Sequence, residues 1–269
     1  MKIKNKLAIT ISFIAGAVML IPLLWMITTA FTETSYVMSI IPRTSFTLDN
    51  FIEVFKMIPL ARYYLNTIII VVTTFAIQFV IVTLGGYALA RGNFYGEKLV
   101  MAIVFMQLII PNDVLIIPNY LTMVDLKLVD TKIAIMLPFL GSAMGLFLLR
   151  QQFKTIPSVL TDAAKIDGAS TMRIIWQIYV PNAKTAYLAF AMISVSYHWN
   201  NFLWPLIVTN SVENRPLTVG LSVFAKSTET ALLWGDVCAC AFVICAPLLI
   251  LFFIFQKQFI NSFASSGIK

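Results

Sequence analysis

The residues best placed for chemistry outside a lipid bilayer lie in a polar segment of an otherwise apolar sequence. Asp162 and Asp167 flank the pair Ala163 and Ala164 within this segment. Carboxylates form charge-assisted hydrogen bonds with cationic groups of a partner. Two adjacent small side chains allow a helix backbone to approach a neighbouring surface closely. This pattern predicts a surface that binds another protein.

The local sequence predicts how the chain presents these residues. Pro157 is a helix-start signal, and Gly168 can take the left-handed conformation that ends a helix. Ser170 is then expected to cap a second helix that runs to Pro181. The polar segment 150–184 should therefore fold as a helix, a tight corner and another helix, with the first helix about 15 Å long. An amphipathic hairpin that lies on the membrane without a partner is the alternative.

A second set of polar residues lies within apolar stretches. Asp113 is ionisable, and a charge at membrane depth indicates function, although it could instead be a structural group beside Pro111. Trp199 with Asn200 and Asn201 combines an aromatic face with amides, as sugar sites do. Helix packing with an interfacial aromatic anchor is the alternative for that group. Weaker candidates for contact with a solute are Gln78, Asn112, Asn119, Ser194 and Ser196.

The composition requires lipid as a solvent. Hydrophobic residues make up 59% of the chain and charged residues 12%, which is far from the balance of a soluble domain. A helix needs about 20 apolar residues to cross a bilayer, and long apolar runs must be helical because unsatisfied backbone groups are costly in hydrocarbon. Six predicted spans follow: Leu7–Phe31, Tyr63–Ala90, Leu99–Val124, Ile133–Leu149, Thr185–Val212 and Val237–Gln256.

The distribution of Lys and Arg predicts the orientation of these spans. With the N-terminus inside, the inner segments 1–6, 91–98, 150–184 and 257–269 hold twelve of the nineteen cations. Cytoplasmic loops carry the excess of Lys and Arg in membrane proteins. Both termini and the polar segment are therefore expected in the cytoplasm. The net charge of +7 reflects this topology and does not indicate nucleic-acid binding.

The outer loop Thr32–Arg62 should contain a short helix capped by Thr47 or Asp49. Its apolar residues suggest that this helix lies on the membrane surface. The residues concerned are Phe51, Ile52, Val54, Phe55 and Ile58.

The polar segment resembles the cytoplasmic coupling loop of ABC importer permeases. The loop of that family contains Glu-Ala-Ala, then Asp-Gly-Ala, then an apolar helix and Pro. In this chain Asp162 stands where the family usually has Glu. The segments 199–208 and 215–221 and the C-terminus resemble the carbohydrate-uptake branch, the maltose-type and glycerol-phosphate-type permeases. Residues that match the family motif are Asp162, Ala163, Ala164, Asp167, Gly168, Ala169 and Pro181.

The resemblance implies an all-α membrane protein with six transmembrane helices and a cytoplasmic helix-turn-helix coupling loop at 150–184. It implies a first helix and outer loop at 1–62, a permease core at 63–257 and a cytoplasmic tail at 258–269. The expected partners are a second permease, two ATPase subunits that bind ATP and Mg²⁺, and an extracytoplasmic solute-binding protein. Together the two permeases would form the pathway for a carbohydrate in the cytoplasmic membrane.

The chain itself is not expected to be an enzyme or to hold a cofactor or a metal. It has no phosphate-binding G-x-x-x-x-G-K-[S/T] motif. Its one histidine, His198, has no nucleophile nearby in sequence, which favours packing or pore lining over catalysis.

A glycerol-phosphate-type substrate in the same system is an alternative. An ion-coupled secondary transporter that uses Asp113 would predict inverted repeats and several membrane carboxylates, and a scaffold without transport would leave the polar residues of the spans unexplained.

Overall fold

The computed structural model describes residues 2–33, 46–228 and 234–266. Helices account for the regular structure of these ranges, and the one pairing of extended backbone within them is an isolated bridge between Thr32 and Phe46. The predicted all-α class is therefore confirmed.

The first group of helices runs from the N-terminus to the polar segment. It comprises α1 Lys2–Ala30, α2 Asp49–Met57, α3 Leu60–Arg91, α4 Glu97–Ile109, α5 Ile116–Asp125, α6 Lys132–Met136 and α7 Ala143–Thr155. Short 3₁₀ turns, Asn112–Leu115 and Leu137–Phe139, precede α5 and follow α6.

The second group begins in the polar segment. It comprises α8 Ser158–Ile166, α9 Thr171–Ile174, a π turn Ile175–Tyr179, α10 Val180–Asn182, α11 Lys184–Asn200, α12 Leu203–Val208, α13 Leu217–Thr228 and α14 Trp234–Ser266. The predicted tail 258–269 is helical as far as Ser266, and its last three residues lie outside the described ranges.

Within the described ranges, three helices are long and apolar enough to cross a membrane without interruption. They are Ile9–Ala30 within α1, the whole of α3, and Trp234–Ile254 within α14. Two further crossings would each be a bent pair: α4 with Asn112–Asp125, at 96°, and Lys132–Phe139 with α7, at 44°.

The predicted span Leu99–Val124 is not one continuous helix, because it breaks at Pro111. Ile110, directly before this proline, is extended with φ −75° and ψ 119°, since the proline ring disfavours the helical conformation of the residue that precedes it. The run Ile133–Leu149 also breaks, and Ser142 restarts the chain as α7 by accepting a hydrogen bond from the Gly145 N–H at 3.1 Å.

The predicted span Thr185–Val212 is likewise interrupted. Its first part, α11, has 17 residues and ends at Asn200, which is shorter than an upright crossing of about 20 residues. A helix that continued would bring the ring of Pro205 against the carbonyl of Asn201. The chain becomes extended at Asn201 instead, and Pro205 occupies the first turn of the new helix α12.

The chain forms two compact units. One unit contains Met1–Tyr63 and Leu217–Ile250, and the other contains Tyr64–Pro216 and Leu251–Lys269. Part of the predicted core 63–257 therefore groups with the first span and the outer loop. Residues 34–45 of that loop lie outside the described ranges.

In the first unit, α2 is fastened to the end of α1. The amide of Asn50 donates hydrogen bonds to the carbonyls of Ala30 and Thr32, both at 2.9 Å. Val54 is buried, so the prediction that it faces the membrane is wrong. Ile52 and Phe55 are exposed on the other side of this helix, as an interfacial position requires.

In the second unit, glycines allow helices to pack closely around an aromatic core. A Cβ at Gly145 would lie 2.4 Å from the ring of Phe190, and one at Gly86 would lie 3.2 Å from the Cβ of Leu149. These contacts bring α7 against α11 and α3. The buried cluster at their junction comprises Val82, Leu149, Phe153, Ile156, Ile174, Tyr179, Ala183, Tyr187 and Phe190.

Candidate functional site

The corner after α8 has the conformation that the sequence predicts. Gly168 is left-handed, with φ +75°. Its N–H bonds to the carbonyl of Lys165 at 3.0 Å, and the N–H of Ala169 bonds to the carbonyl of Ala164 at 2.9 Å. This pair of bonds is a Schellman motif, which satisfies the last carbonyls of a helix. The hydroxyl of Ser170 then caps α9 by accepting from the Arg173 N–H at 3.3 Å.

The predicted binding residues divide between the two sides of α8. Asp162, Ala163 and Asp167 are exposed. Ala164 and Ala169 are half-buried and pack against the aromatic core of their own chain. Ala163 therefore remains available for close approach by a partner, whereas Ala164 packs α8 against the core of its own chain.

Two exposed apolar residues belong to the outer side of α8 and were missed from the sequence. Val159 is 72% exposed and Ile166 is 87% exposed. With Ala163 they are spaced i, i+4 and i+7, so they form one stripe along the helix. That spacing is the signal that could have identified them. The outer face of α8 thus combines an apolar stripe with two carboxylates.

A buried hydroxyl pair attaches α8 to the following helices. Thr161 and Tyr179 are joined by a hydrogen bond of 2.7 Å. Tyr179 is fully buried, with the rings of Phe153 and Tyr87 against it in edge-to-face contacts. Tyr179 also ends the π turn, whose wider winding accommodates Pro181, because a proline in an α-helix clashes with the carbonyl four residues before it.

Two arginines lock α3 and α7 together beside this segment. Arg91, at the end of α3, donates to the carbonyl of Phe153 near the end of α7 at 3.2 Å. Arg150 of α7 donates in return to the carbonyl of Leu89 at 3.0 Å, and to the carboxylate of Glu97 at 2.8 Å. The hydrogen bond from Arg150 holds the pKa of Glu97 below its usual value. Guanidinium groups thus occupy the negative ends of both helices.

A cavity of about 350 Å³, with both apolar and polar side chains in its wall, lies in the second unit, among α3, α11 and the breaks of the two bent pairs. The breaks matter because they turn Asn112 and Ser142 toward the space that continuous helices would close. Lys, Arg, Asp and Glu do not occur among its described lining residues. Polar groups in the wall come from Gln78, Gln107, Asn112, Ser142, Ser194, Tyr197 and His198.

Three of these side chains hold one another in place. Ser194 Oγ donates to Gln78 Oε1 at 2.6 Å, and Gln78 Nε2 donates to the carbonyl of Phe139 at 2.6 Å. Gln78 Nε2 also lies 3.2 Å from His198 Nε2. Because the Phe139 carbonyl can only accept, it fixes the orientation of the amide. His198 Nε2 must then be the acceptor, which places the proton of the neutral imidazole on Nδ1.

A second polar contact lies at the edge of the cavity. The amide of Asn112 donates to the hydroxyl of Tyr197 at 2.9 Å. Asp113, the next residue, is exposed and does not line the wall. We call Asn112, Asp113 and Tyr197 the rim.

The cavity therefore contains some of the predicted solute contacts and omits others. Gln78, Asn112 and Ser194 line it, whereas Asn119, Asn200 and Asn201 do not. Trp199 is buried with its ring 6.1 Å from that of Tyr64, which favours the packing alternative. The amide of Asn200 donates back to its own helix, to the carbonyl of Ser196 at 2.8 Å.

Tyr197 and His198 were not predicted as solute contacts, although pore lining was one of the two roles expected for His198. With Ser194 they are spaced i, i+3 and i+4, which places them on one face of α11. This helical spacing of polar residues in an apolar run is the signal that could have indicated the wall.

Comparison with known proteins places the chain in a family. The family model described as "Binding-protein-dependent transport system inner membrane component" matches residues 81–264. The chain belongs to this family. It is accordingly a multi-pass inner-membrane protein, and the curated relatives that it matches are transport permeases.

Three relatives illustrate the range of the permease's similarities. It is 30% identical to the lactose transport system permease protein LacG of Rhizobium radiobacter, over 94% of this chain and 92% of the relative. It is 32% identical to the arabinooligosaccharides transport system permease protein AraQ of Halalkalibacterium halodurans, over 98% and 95%. It is also 32% identical to the sn-glycerol-3-phosphate transport system permease protein UgpE of Rhizobium meliloti, over 76% and 72%.

A solved structure shares the fold of the permease. A chain of a bacterial ABC transporter involved in the import of the acidic polysaccharide alginate superposes with a TM-score of 0.84. The alignment covers 95% of the permease and 96% of that chain, at 22% sequence identity. The type I importer fold expected from the sequence is therefore confirmed.

Proposed function

We propose that the permease imports a carbohydrate, and that it forms the translocation pathway together with a second permease subunit. The relatives named for lactose and for arabinooligosaccharides match over almost the whole chain. The relative named for sn-glycerol-3-phosphate matches over about three quarters of it. A carbohydrate delivered by a solute-binding protein is the substrate class that these similarities favour.

One structural observation carries the mechanism: α8 and the cavity wall belong to a single packed path. Thr161 of α8 bonds to Tyr179, and the chain passes from Tyr179 through α10 directly into α11. The same α11 presents Ser194 and His198 to the cavity. A displacement of α8 is therefore transmitted to the groups that line the cavity.

The displacement would come from two partner ATPases in the cytoplasm. Their closure around ATP and Mg²⁺ moves a groove that holds α8, and the two-state packing of the permeases then opens the pathway to the binding protein. Asp162 and Asp167 would meet cations of the groove, and the stripe formed by Val159, Ala163 and Ile166 would meet its apolar wall. Hydrolysis returns the pathway to the cytoplasmic side.

The orientation needed for this mechanism is the one that the cations predict, with both termini and α8 in the cytoplasm. A cysteine that replaces Ser158 should react with an impermeant thiol reagent only from the cytoplasmic side. A cysteine at Val212, which is exposed in the opposite loop, should react only from outside. Labelling of the Ser158 variant in intact cells would contradict the orientation.

Uptake into vesicles by the assembled complex tests the energy source. Transport of the solute that its binding protein captures should stop when the partner ATPases lose their catalytic Glu. It should continue when a protonophore removes the proton gradient while ATP is maintained. Uptake that collapses with the gradient at constant ATP would instead identify an ion-coupled transporter.

A further inference from the structure

The relatives of the permease do not decide whether its cavity accepts charged or uncharged solutes. We infer that it admits uncharged, hydroxyl-rich solutes and excludes anions, and that Asp113 is the residue that determines this specificity. The inference rests on the proposed function, in which the cavity is part of the solute pathway.

The wall lacks the groups that an anion needs. A phosphate or carboxylate that leaves water must be paired, and Arg or Lys usually supplies the charge-assisted hydrogen bonds. The described lining residues include neither. They offer amides, hydroxyls and an imidazole, which match the alternating donors and acceptors of sugar hydroxyls. The aromatic rings of Phe139 and Phe190 add apolar surface for the carbon face of a sugar ring.

His198 cannot replace the missing cation without breaking the wall. Its Nε2 must accept a hydrogen bond from the Gln78 amide, 3.2 Å away. A protonated imidazole would place an N–H against an N–H at that contact. The rings of Phe139 and Tyr197 pack steeply inclined to the imidazole, with ring centroids 5.5 and 5.1 Å from its own. The network therefore requires the uncharged form.

The rim adds a negative charge at the entrance to this uncharged wall. Asp113 is exposed and directly follows Asn112, which lines the cavity and bonds to Tyr197. Because Tyr197 accepts a hydrogen bond from Asn112 at 2.9 Å, its own hydroxyl proton remains for a solute oxygen. A carboxylate beside that donor accepts from solute hydroxyls and repels an anionic solute.

Charged thiol reagents test this preference without knowledge of the natural solute. Gly141 lines the cavity, and a side chain added there meets no atom within 4 Å. The assembled transporter, with its ATPase partners, would carry Gly141→Cys in a background in which Cys238, Cys240 and Cys245 are alanine. The probes are cationic, neutral and anionic methanethiosulfonates, applied with and without ATP. Val212→Cys serves as the reference for the intrinsic reactivity of each reagent.

We expect the cationic reagent to modify Gly141→Cys about tenfold faster than the anionic one, after division by the ratio at Val212→Cys. Asp113→Asn should bring this corrected ratio close to one, whereas Asp113→Glu should preserve it. Salt at about 1 M should weaken the preference, because it screens an exposed charge.

Two results would overturn the inference. One is a corrected ratio near one while Asp113 is present, which would mean that the rim does not discriminate by charge. The other is a Gly141→Cys variant that reacts with none of the three reagents in either nucleotide state, which would mean that solutes do not reach the cavity. In both cases ATP-dependent uptake by the unmodified complex would still support the proposed function, and only its loss would refute that function.

Discussion

The outer face of α8 and the cavity wall use polar residues in opposite ways. At α8 the backbone satisfies itself through the Schellman motif, and the carboxylates of Asp162 and Asp167 are left exposed. In the cavity, Gln78 bonds to both Ser194 and His198. The first arrangement leaves charge exposed at the surface, and the second holds its polar groups in fixed positions.

The two regions are sensitive to different kinds of substitution. The α8 face depends on the course of the backbone, because one left-handed residue sets the direction of the chain that follows. The cavity depends on hydrogen bonds between side chains, because one amide bonds to three partners. Substitutions should therefore separate docking of the ATPases from transport of the solute.

The largest effect is expected from Gly168→Val. A Cβ at this position meets nothing within 4 Å, so the cost comes from the backbone at φ +75° alone. A left-handed conformation costs an ordinary residue about 1–2 kcal/mol, and a β-branched residue more. Since about 1.4 kcal/mol corresponds to a factor of ten, substrate-stimulated ATP hydrolysis in proteoliposomes should fall at least about tenfold.

Gly168→Asn is the matched control for that experiment. Asn tolerates the left-handed region far better than Val, so this variant should keep most of the stimulation. If Gly168→Val retains full co-purification of the ATPases and full stimulation while it inserts normally, α8 is not the coupling element.

The two alanines of α8 sharpen the distinction between docking and folding. Ala164 packs against the core, so Ala164→Asp places a charge in a half-buried apolar site and should lower the melting temperature of the purified complex. Ala163 is exposed, so Ala163→Asp should leave the melting temperature unchanged and reduce co-purification of the ATPases. Equal effects of the two variants on both measurements would contradict this division.

Gln78→Leu tests the cavity wall. It removes the partner of the Ser194 hydroxyl and of the Phe139 carbonyl, and each unsatisfied buried group costs about 1–3 kcal/mol. Uptake should fall several-fold at a given solute concentration, while the ATPases still co-purify. Ile77→Leu, on the neighbouring exposed position, is the control for insertion of α3. Loss of ATPase binding in Gln78→Leu would show that the two regions are not separable.

The smallest effect is expected from Asp162→Glu. The side chain is exposed, and the change keeps the carboxylate, so stability should alter by less than about 0.5 kcal/mol. In this variant, stimulated ATP hydrolysis should be nearly unchanged. Asp162→Asn removes the charge, so it should weaken docking of the ATPases more at low salt than at high salt, where the charge is screened. A strong defect in Asp162→Glu would mean that carboxylate position, and not charge alone, is recognised.

Much of the fold can be predicted from interactions between residues that are close in the sequence. The corner at Gly168, the cap at Ser170 and the helical class of the apolar runs depend on residues within a few positions of one another. The bends were harder to predict. Pro111 and Pro205 each mark a break, yet the angle of 96° in the first bent pair depends on what packs around it.

The membrane location of the chain and its helix–corner–helix can be predicted from the sequence alone, because hydrophobic runs, Gly, Pro and capping residues act over short distances. Only the tertiary structure decided which polar residues meet. Gln78 and His198 are 120 positions apart, and nothing local joins them. They meet because packing brings α3 and α11 to the same cavity, which α4 and α7 also line and which the interruptions of the spans leave open.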